Sequence, residues 1–206
     1  MIVEPYFYLI AIFSVFLHGM GKGGFIGAGS FGSLLAIPML SIFIPPFQAI
    51  AILLLPLIFI DIVTLCKYRW MWDLKILKFI IPLAFVGIIL GTLSFSYLTE
   101  NSIRVIIGLM AVIFCLDYYL RNNSSEPKKP SVLESYFWPS LSGFTSFSIH
   151  AGGIPLSFYL LPMRLDRRIY VATAGLFYLS INIFKIFPYA YLGQMNFTNI
   201  YTSLLL

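Results

Sequence analysis

Long apolar blocks separated by short polar intervals run the length of the chain. They fall at residues 5–44, 47–66, 76–98, 103–120, 134–163, 169–192 and 197–206. A hydrocarbon core about 30 Å thick is crossed by about 20 apolar residues in helix. The pattern therefore predicts an all-α, polytopic membrane protein. The first block would be about 60 Å long as one straight helix, twice the hydrocarbon thickness. Glycines interrupt it at Gly19, Gly21, Gly23, Gly24, Gly27, Gly29 and Gly32. The 134–163 block is interrupted in the same way at Ala151-Gly152-Gly153-Ile154-Pro155. Each of these two blocks is expected to enter, break and return, or to form two close-packed helices.

The most polar stretch, Arg121-Asn122-Asn123-Ser124-Ser125-Glu126-Pro127-Lys128-Lys129-Pro130, reads as a linker between halves. It divides the chain into a first membrane repeat at 1–121, a polar cytoplasmic linker at 122–133 and a second membrane repeat at 134–206. Shifting the chain by 121 residues lays Gly32 on Gly153, Ala51 on Ala172, Asp61 on Asn182 and Tyr68 on Tyr189. The expected architecture is two membrane repeats, the first element of each broken by Gly or Pro. Repeats with broken helices are characteristic of secondary transporters. Leu206 corresponds to Phe85, in the middle of a first-half span. The second repeat is accordingly expected to be incomplete, and the chain a truncated copy.

Composition narrows the class. The chain has 206 residues, 60% of them hydrophobic and only 10% charged, too little polar surface for a water-exposed globule. Its net charge of +5 lies in short loops, which signals topology and not nucleic-acid binding. Lys67, Arg69, Lys75 and Lys78 mark one such loop, and Arg121, Lys128 and Lys129 another. The positive-inside rule places both in the cytoplasm, together with Arg164, Arg167 and Arg168. Residues 44–47 then face outside, Met1 lies outside, and the two halves start on opposite sides. Cys66 and Cys115 are expected to be ordinary buried thiols. No cleavable signal, metal cluster or cofactor motif is present in the sequence.

The chemistry concentrates at the two breaks. Lys22 is the only formal charge between Glu4 and Asp61, and it lies four residues from His18, on one helical face. A broken helix offers amide donors at a new N-terminus, where the dipole favours an anion. Gly23, Gly24 and Gly27 allow backbone to approach such a ligand closely. The second break sets His150 beside Gly152 and Gly153, with Ser142, Thr145, Ser146 and Ser148 as hydroxyl donors. Lys22, Gly23, Gly24, Gly27, His150, Gly152 and Gly153 are thus the substrate-binding candidates. His18, Asp61 and His150 are the proton-coupling candidates, because intramembrane ionisable residues are costly unless functional. Asp61 has an alternative as a partner of Lys67 or Arg69. Lys185 is expected to snorkel from a helix end. Tyr68, Trp70, Trp72, Tyr118, Tyr119, Trp138 and Tyr189 are expected in interfacial belts.

Gly21-Lys22-Gly23-Gly24-Phe25-Ile26-Gly27-Ala28-Gly29, Ile37-Pro38 and Pro46-Phe47-Gln48-Ala49 resemble the first-half signature of the TauE/SafE sulfite-exporter family. His150-Ala151-Gly152-Gly153-Ile154-Pro155 with Tyr159-Leu160-Leu161-Pro162 resembles its second-half signature. The resemblance implies a multi-pass transporter of the bacterial inner membrane built as two repeats of a four-helix unit, with a lipid bilayer and a small anion as partners. The cargo it implies is sulfite, an organosulfonate or a related organic acid, and no cofactor. Two other classes compete with this reading. One is an intramembrane enzyme using His18, His150 and Asp61, and the other is a non-transporting truncated remnant.

Overall fold

The computed structural model describes residues 5–23, 35–97, 99–120 and 130–206. Among these the chain is helical throughout, without strands. The helices are α1 (Pro5–Lys22), α2 (Pro46–Lys67), α3 (Leu74–Ser94), α4 (Glu100–Leu120), α5 (Val132–Ile149), α6 (Gly153–Leu160), α7 (Arg167–Tyr191) and α8 (Phe197–Leu204). Residues 35–40 are also helical. The expected break at Gly24, Gly27, Gly29 and Gly32 lies outside the described residues.

Polar residues set the helix starts. Asp73 caps α3 through the amides of Lys75 and Ile76, and Asp166 caps α7 through that of Arg168. Ser131 and Glu134 form a reciprocal capping box at α5, which satisfies two otherwise unpaired donors. Between these caps the composition is apolar. Among the described residues α2, α3 and α7, of 22, 21 and 25 residues, are long and apolar enough to cross a membrane. At about 1.5 Å per residue each exceeds the hydrocarbon thickness of about 30 Å.

The burial pattern is that of a protein in lipid. Phe59, Ile62 and Val63 of α2, Leu90 and Leu93 of α3, and Phe187 of α7 are exposed, while Asp61 and Lys185 are fully buried. In water that arrangement would expose apolar surface and desolvate charge; in a bilayer both costs reverse.

Two helix pairs organise the core. The first is α3 with α5, running parallel: Phe79 meets Tyr136, and further along both helices Gly91 meets Phe147. Gly87 lies against the Ser140 carbonyl and Gly143 against that of Ala84, so the two backbones touch where no side chain intervenes. The second is α2 with α7, running antiparallel. Thr64 and Leu65 pack on Gly175, and Asp61 meets Asn182 further along. Asp73 N–H donates to Thr173 Oγ1 at 2.9 Å. The 67–78 loop and the start of α7 therefore share one end of the molecule. At the other end Gln48 reaches Asn199, and Ser203 Oγ donates to the Ile52 carbonyl.

The 134–163 block does break and return. α5 ends at Ile149, residues 150–152 turn, and α6 runs back so that Trp138 packs on Phe158 with centroids 4.7 Å apart. The left-handed residue in this turn is His150, with φ of 54°, and neither glycine adopts a positive φ. Gly152 serves instead for close approach. A Cβ there would lie 2.7 Å from the Ser142 carbonyl oxygen and from Ser146 Cβ.

Three expectations are corrected. Cys66 and Cys115 are exposed, on faces turned away from the core. Lys185 does not snorkel: it is wholly buried and bonded to α5. Tyr189 is also buried, because its hydroxyl donates to the Phe147 carbonyl at 2.6 Å and leaves no polar tip needing an interface. Trp70 and Tyr119 are exposed, as a belt requires.

Candidate functional site

A cavity of about 60 Å³ lies where α1, α2, α7 and the α5–α6 turn meet. His18, Gly21 and Lys22 line it from α1, and Ser146, His150, Gly152 and Gly153 line it from the broken block. Leu57 closes it from α2, with Tyr170, Tyr178 and Asn182 from α7. The substrate-binding candidates at the two breaks thus meet in part. Lys22, His150, Gly152 and Gly153 share the cavity. Gly23 is exposed, and its amide is taken by the Gly19 carbonyl at 2.8 Å. Gly24 and Gly27 lie outside the described residues.

Lys22, the last residue of α1, extends its ammonium group to Asp61 Oδ1 at 2.6 Å and the Leu57 carbonyl at 3.3 Å. It also sits 5.3 Å from the centre of the Tyr178 ring. The second Asp61 oxygen accepts from Asn182 Nδ2 at 2.7 Å. Asp61 is therefore saturated by partners from α1 and α7, and it does not pair with Lys67 or Arg69. Its two contacts tie three helices together.

The histidines differ in what they leave free. His18 Nδ1 lies 3.0 Å from the Ser14 carbonyl, which can only accept, so this nitrogen carries the proton. Nε2 is then a bare acceptor when the ring is neutral. It is buried without a partner among the described residues and belongs to a ring that lines the cavity. His150 has no free nitrogen: Nε2 lies 2.7 Å from the Ile50 carbonyl and Nδ1 lies 3.0 Å from Lys185 Nζ. Lys185 Nζ also donates to the carbonyl and hydroxyl of Ser146, each at 3.0 Å.

Gly152 and Gly153 complete the cavity wall. Their amides lie at the N-terminus of α6, where intrahelical acceptors are absent, and no described residue accepts from them. The arrangement sets an ammonium, an imidazole and the two-glycine turn around a space of about 60 Å³. A small anion of a few heavy atoms fits that description.

The family profile for sulfite exporter TauE/SafE matches residues 11–206, nearly the entire chain. The chain belongs to the TauE/SafE sulfite exporter family. Its members are membrane transporters, and this one is a membrane protein whose partners are a small anion and the lipid bilayer. No curated protein and no solved structure matches the chain.

Within this TauE/SafE member the sequence reading set Lys185 at a helix end and did not assign Tyr178 or Gly21 to the site. Lys185 was findable, since it follows Asn182 by three residues and so lies on the same helical face.

Proposed function

We propose that this TauE/SafE member is a secondary transporter that carries a small anion across the bacterial inner membrane, coupled to protons. Sulfite, an organosulfonate or a related organic acid is the cargo. The observation that carries the reading is the meeting in one cavity of Lys22, of the His18 ring, whose Nε2 has no partner among the described residues, and of Gly152 and Gly153. An anion there completes the donors on one wall, and a proton on His18 Nε2 completes the other. Of the three proton-coupling candidates His18 is favoured, because Asp61 and His150 already have every polar atom engaged.

The two-repeat organisation, 1–121 and 134–206 about the linker at 122–133, belongs to the same proposal. Support comes from α2 and α7, which start at Pro46 and Arg167, 121 residues apart. Asp61 and Asn182, also 121 apart, are hydrogen-bonded to each other, as residues beside an axis relating two halves would be.

Uptake of radiolabelled sulfite by proteoliposomes under an imposed pH gradient tests the reading. Lys22→Ala and Gly153→Val are expected to abolish uptake, the first by removing countercharge and the second by filling the wall. His18→Gln is expected to retain uptake but lose its response to the pH gradient. Wild-type uptake by both Lys22→Ala and Gly153→Val would falsify the site.

A further inference from the structure

Tyr178 stands on the stripe of α7 that faces the cavity, one turn before Asn182 and one turn after Ala174 and Gly175. Its neighbours fix the ring. The Lys22 ammonium lies 5.3 Å from the ring centre, and Phe177 meets it edge to face with centroids 5.6 Å apart. The far end of the side chain reaches the start of α6. A Cβ at Gly153 would lie 3.2 Å from the Tyr178 hydroxyl oxygen. The side chain thus spans from the cation on α1 to the helix that opens at the second break.

The hydroxyl at the end of this ring is unused. No described residue hydrogen-bonds to it. Tyr189, three turns on in the same helix, instead donates its hydroxyl to the Phe147 carbonyl at 2.6 Å. A phenol keeps its proton at neutral pH, so the Tyr178 oxygen has a hydrogen to donate. It lies beside the amides of Gly152 and Gly153, at a helix N-terminus whose dipole favours negative charge. The same cavity holds the unpartnered Nε2 of His18, a residue only 4% exposed. Two side chains on opposite sides of one space therefore present polar atoms that the described residues do not satisfy.

We propose that Tyr178 is a cargo-binding residue, whose hydroxyl donates a hydrogen bond to an oxygen of the anion beside the start of α6. This deepens the anion-transport reading above and rests on it. A hydroxyl donating to a charged oxygen makes a shorter and stronger bond than one donating to a neutral acceptor. Such a donor also sets specificity, because a ligand with no acceptor at that place leaves it unpaired. The closeness of Gly153 makes the contact adjustable. An approach of 3.2 Å is tighter than ordinary packing, so a methyl group on residue 153 displaces the hydroxyl. Gly153→Ala therefore disturbs the cargo partly through Tyr178.

Tyr178→Phe keeps the ring and its place beside Lys22 and removes only the oxygen. Thermal-shift titrations of the detergent-purified full chain with sodium sulfite and with sodium methanesulfonate read stability and affinity together. Without either probe the variant is expected to melt at the wild-type temperature, since the oxygen it loses has no protein partner. Its affinity for the anion that the wild type binds is expected to fall about tenfold, or about 1.4 kcal/mol. Gly153→Ala is expected to weaken binding more in the wild type than in Tyr178→Phe, where the oxygen it would displace is already gone. Wild-type affinity in Tyr178→Phe overturns the inference and leaves anion transport standing. A variant that melts lower or fails to fold overturns it too, because the hydroxyl then supports the fold. Equal losses from Gly153→Ala in both backgrounds count against it in the same way. If the wild type binds neither probe, the anion reading falls and this inference with it.

Discussion

Single residues in this chain do work that their types alone do not reveal. Gly152 and Gly108 are both glycines in helical surroundings, yet a Cβ at Gly152 would strike the Ser142 carbonyl and Ser146, whereas Gly108 has nothing within 4 Å. Gly152→Ala is expected to cost about 1–3 kcal/mol through forced repacking, and Gly108→Ala to hold or raise stability, since glycine weakens a helix interior. Thermal melts in one detergent check both, and equal effects would refute the close-approach role. The Lys22–Asp61 pair gives a second expectation. Asp61→Asn leaves a largely buried ammonium unpaired, at about 3 kcal/mol or more, whereas Lys22→Met with Asp61→Asn recovers most of that loss. A double-mutant cycle measures the coupling, and additive losses would mean the pair is not coupled. The charge of Lys22 and the break beside His150 were legible in the sequence because each is local. Lys185 was not. Its position near the end of an apolar block suggests an interface, and only α5, folded against it from 35 to 39 residues away, shows that it is buried.

At the scale of elements, length and breaks were readable and partners were not. The apolar blocks at 47–66 and 169–192 became α2 and α7 within a few residues at each end, because Pro46, Asp166 and the flanking basic residues punctuate them. Nothing in those blocks specifies that α3 packs on α5, since both helices are apolar around much of their circumference. The specification lies in Gly87 and Gly143, two small residues that meet only when the parallel crossing forms. Gly143→Ala is expected to push the two helices apart and lower stability by about 1–3 kcal/mol. Gly87→Ala is expected to do the same, and the double variant to lose less than the sum, because one displacement relieves both contacts. Melting temperatures of the three variants test this, and full additivity would place the two glycines in independent contacts.

For the whole molecule, the question is which end faces which side of the bilayer. The antiparallel α2–α7 pair brings the loop carrying Lys67, Arg69, Lys75 and Lys78 to the same end as Arg164, Arg167 and Arg168. The sequence reading reached that grouping from charge alone, and it required the 134–163 block to leave by the face it entered. The α5–α6 turn meets that requirement, since Trp138 and Phe158 lie side by side at its open end. Two arguments with no shared premise therefore agree on one basic end, the first from loop charge and the second from helix contacts. By the positive-inside rule that end is expected to face the cytoplasm. The cavity approaches the same end: its α7 lining begins at Tyr170, three residues into the helix. Cargo would then reach His18 and Gly153 from inside, with His150, Lys185 and Tyr189 closing the path beyond. With Cys66 and Cys115 replaced by serine, Lys75→Cys and Arg168→Cys are expected to resist a membrane-impermeant maleimide in intact cells. Thr198→Cys, at the opposite end, is expected to react. Labelling of the first two from outside, with protection of the third, would turn the molecule over and make the cavity an entry from outside.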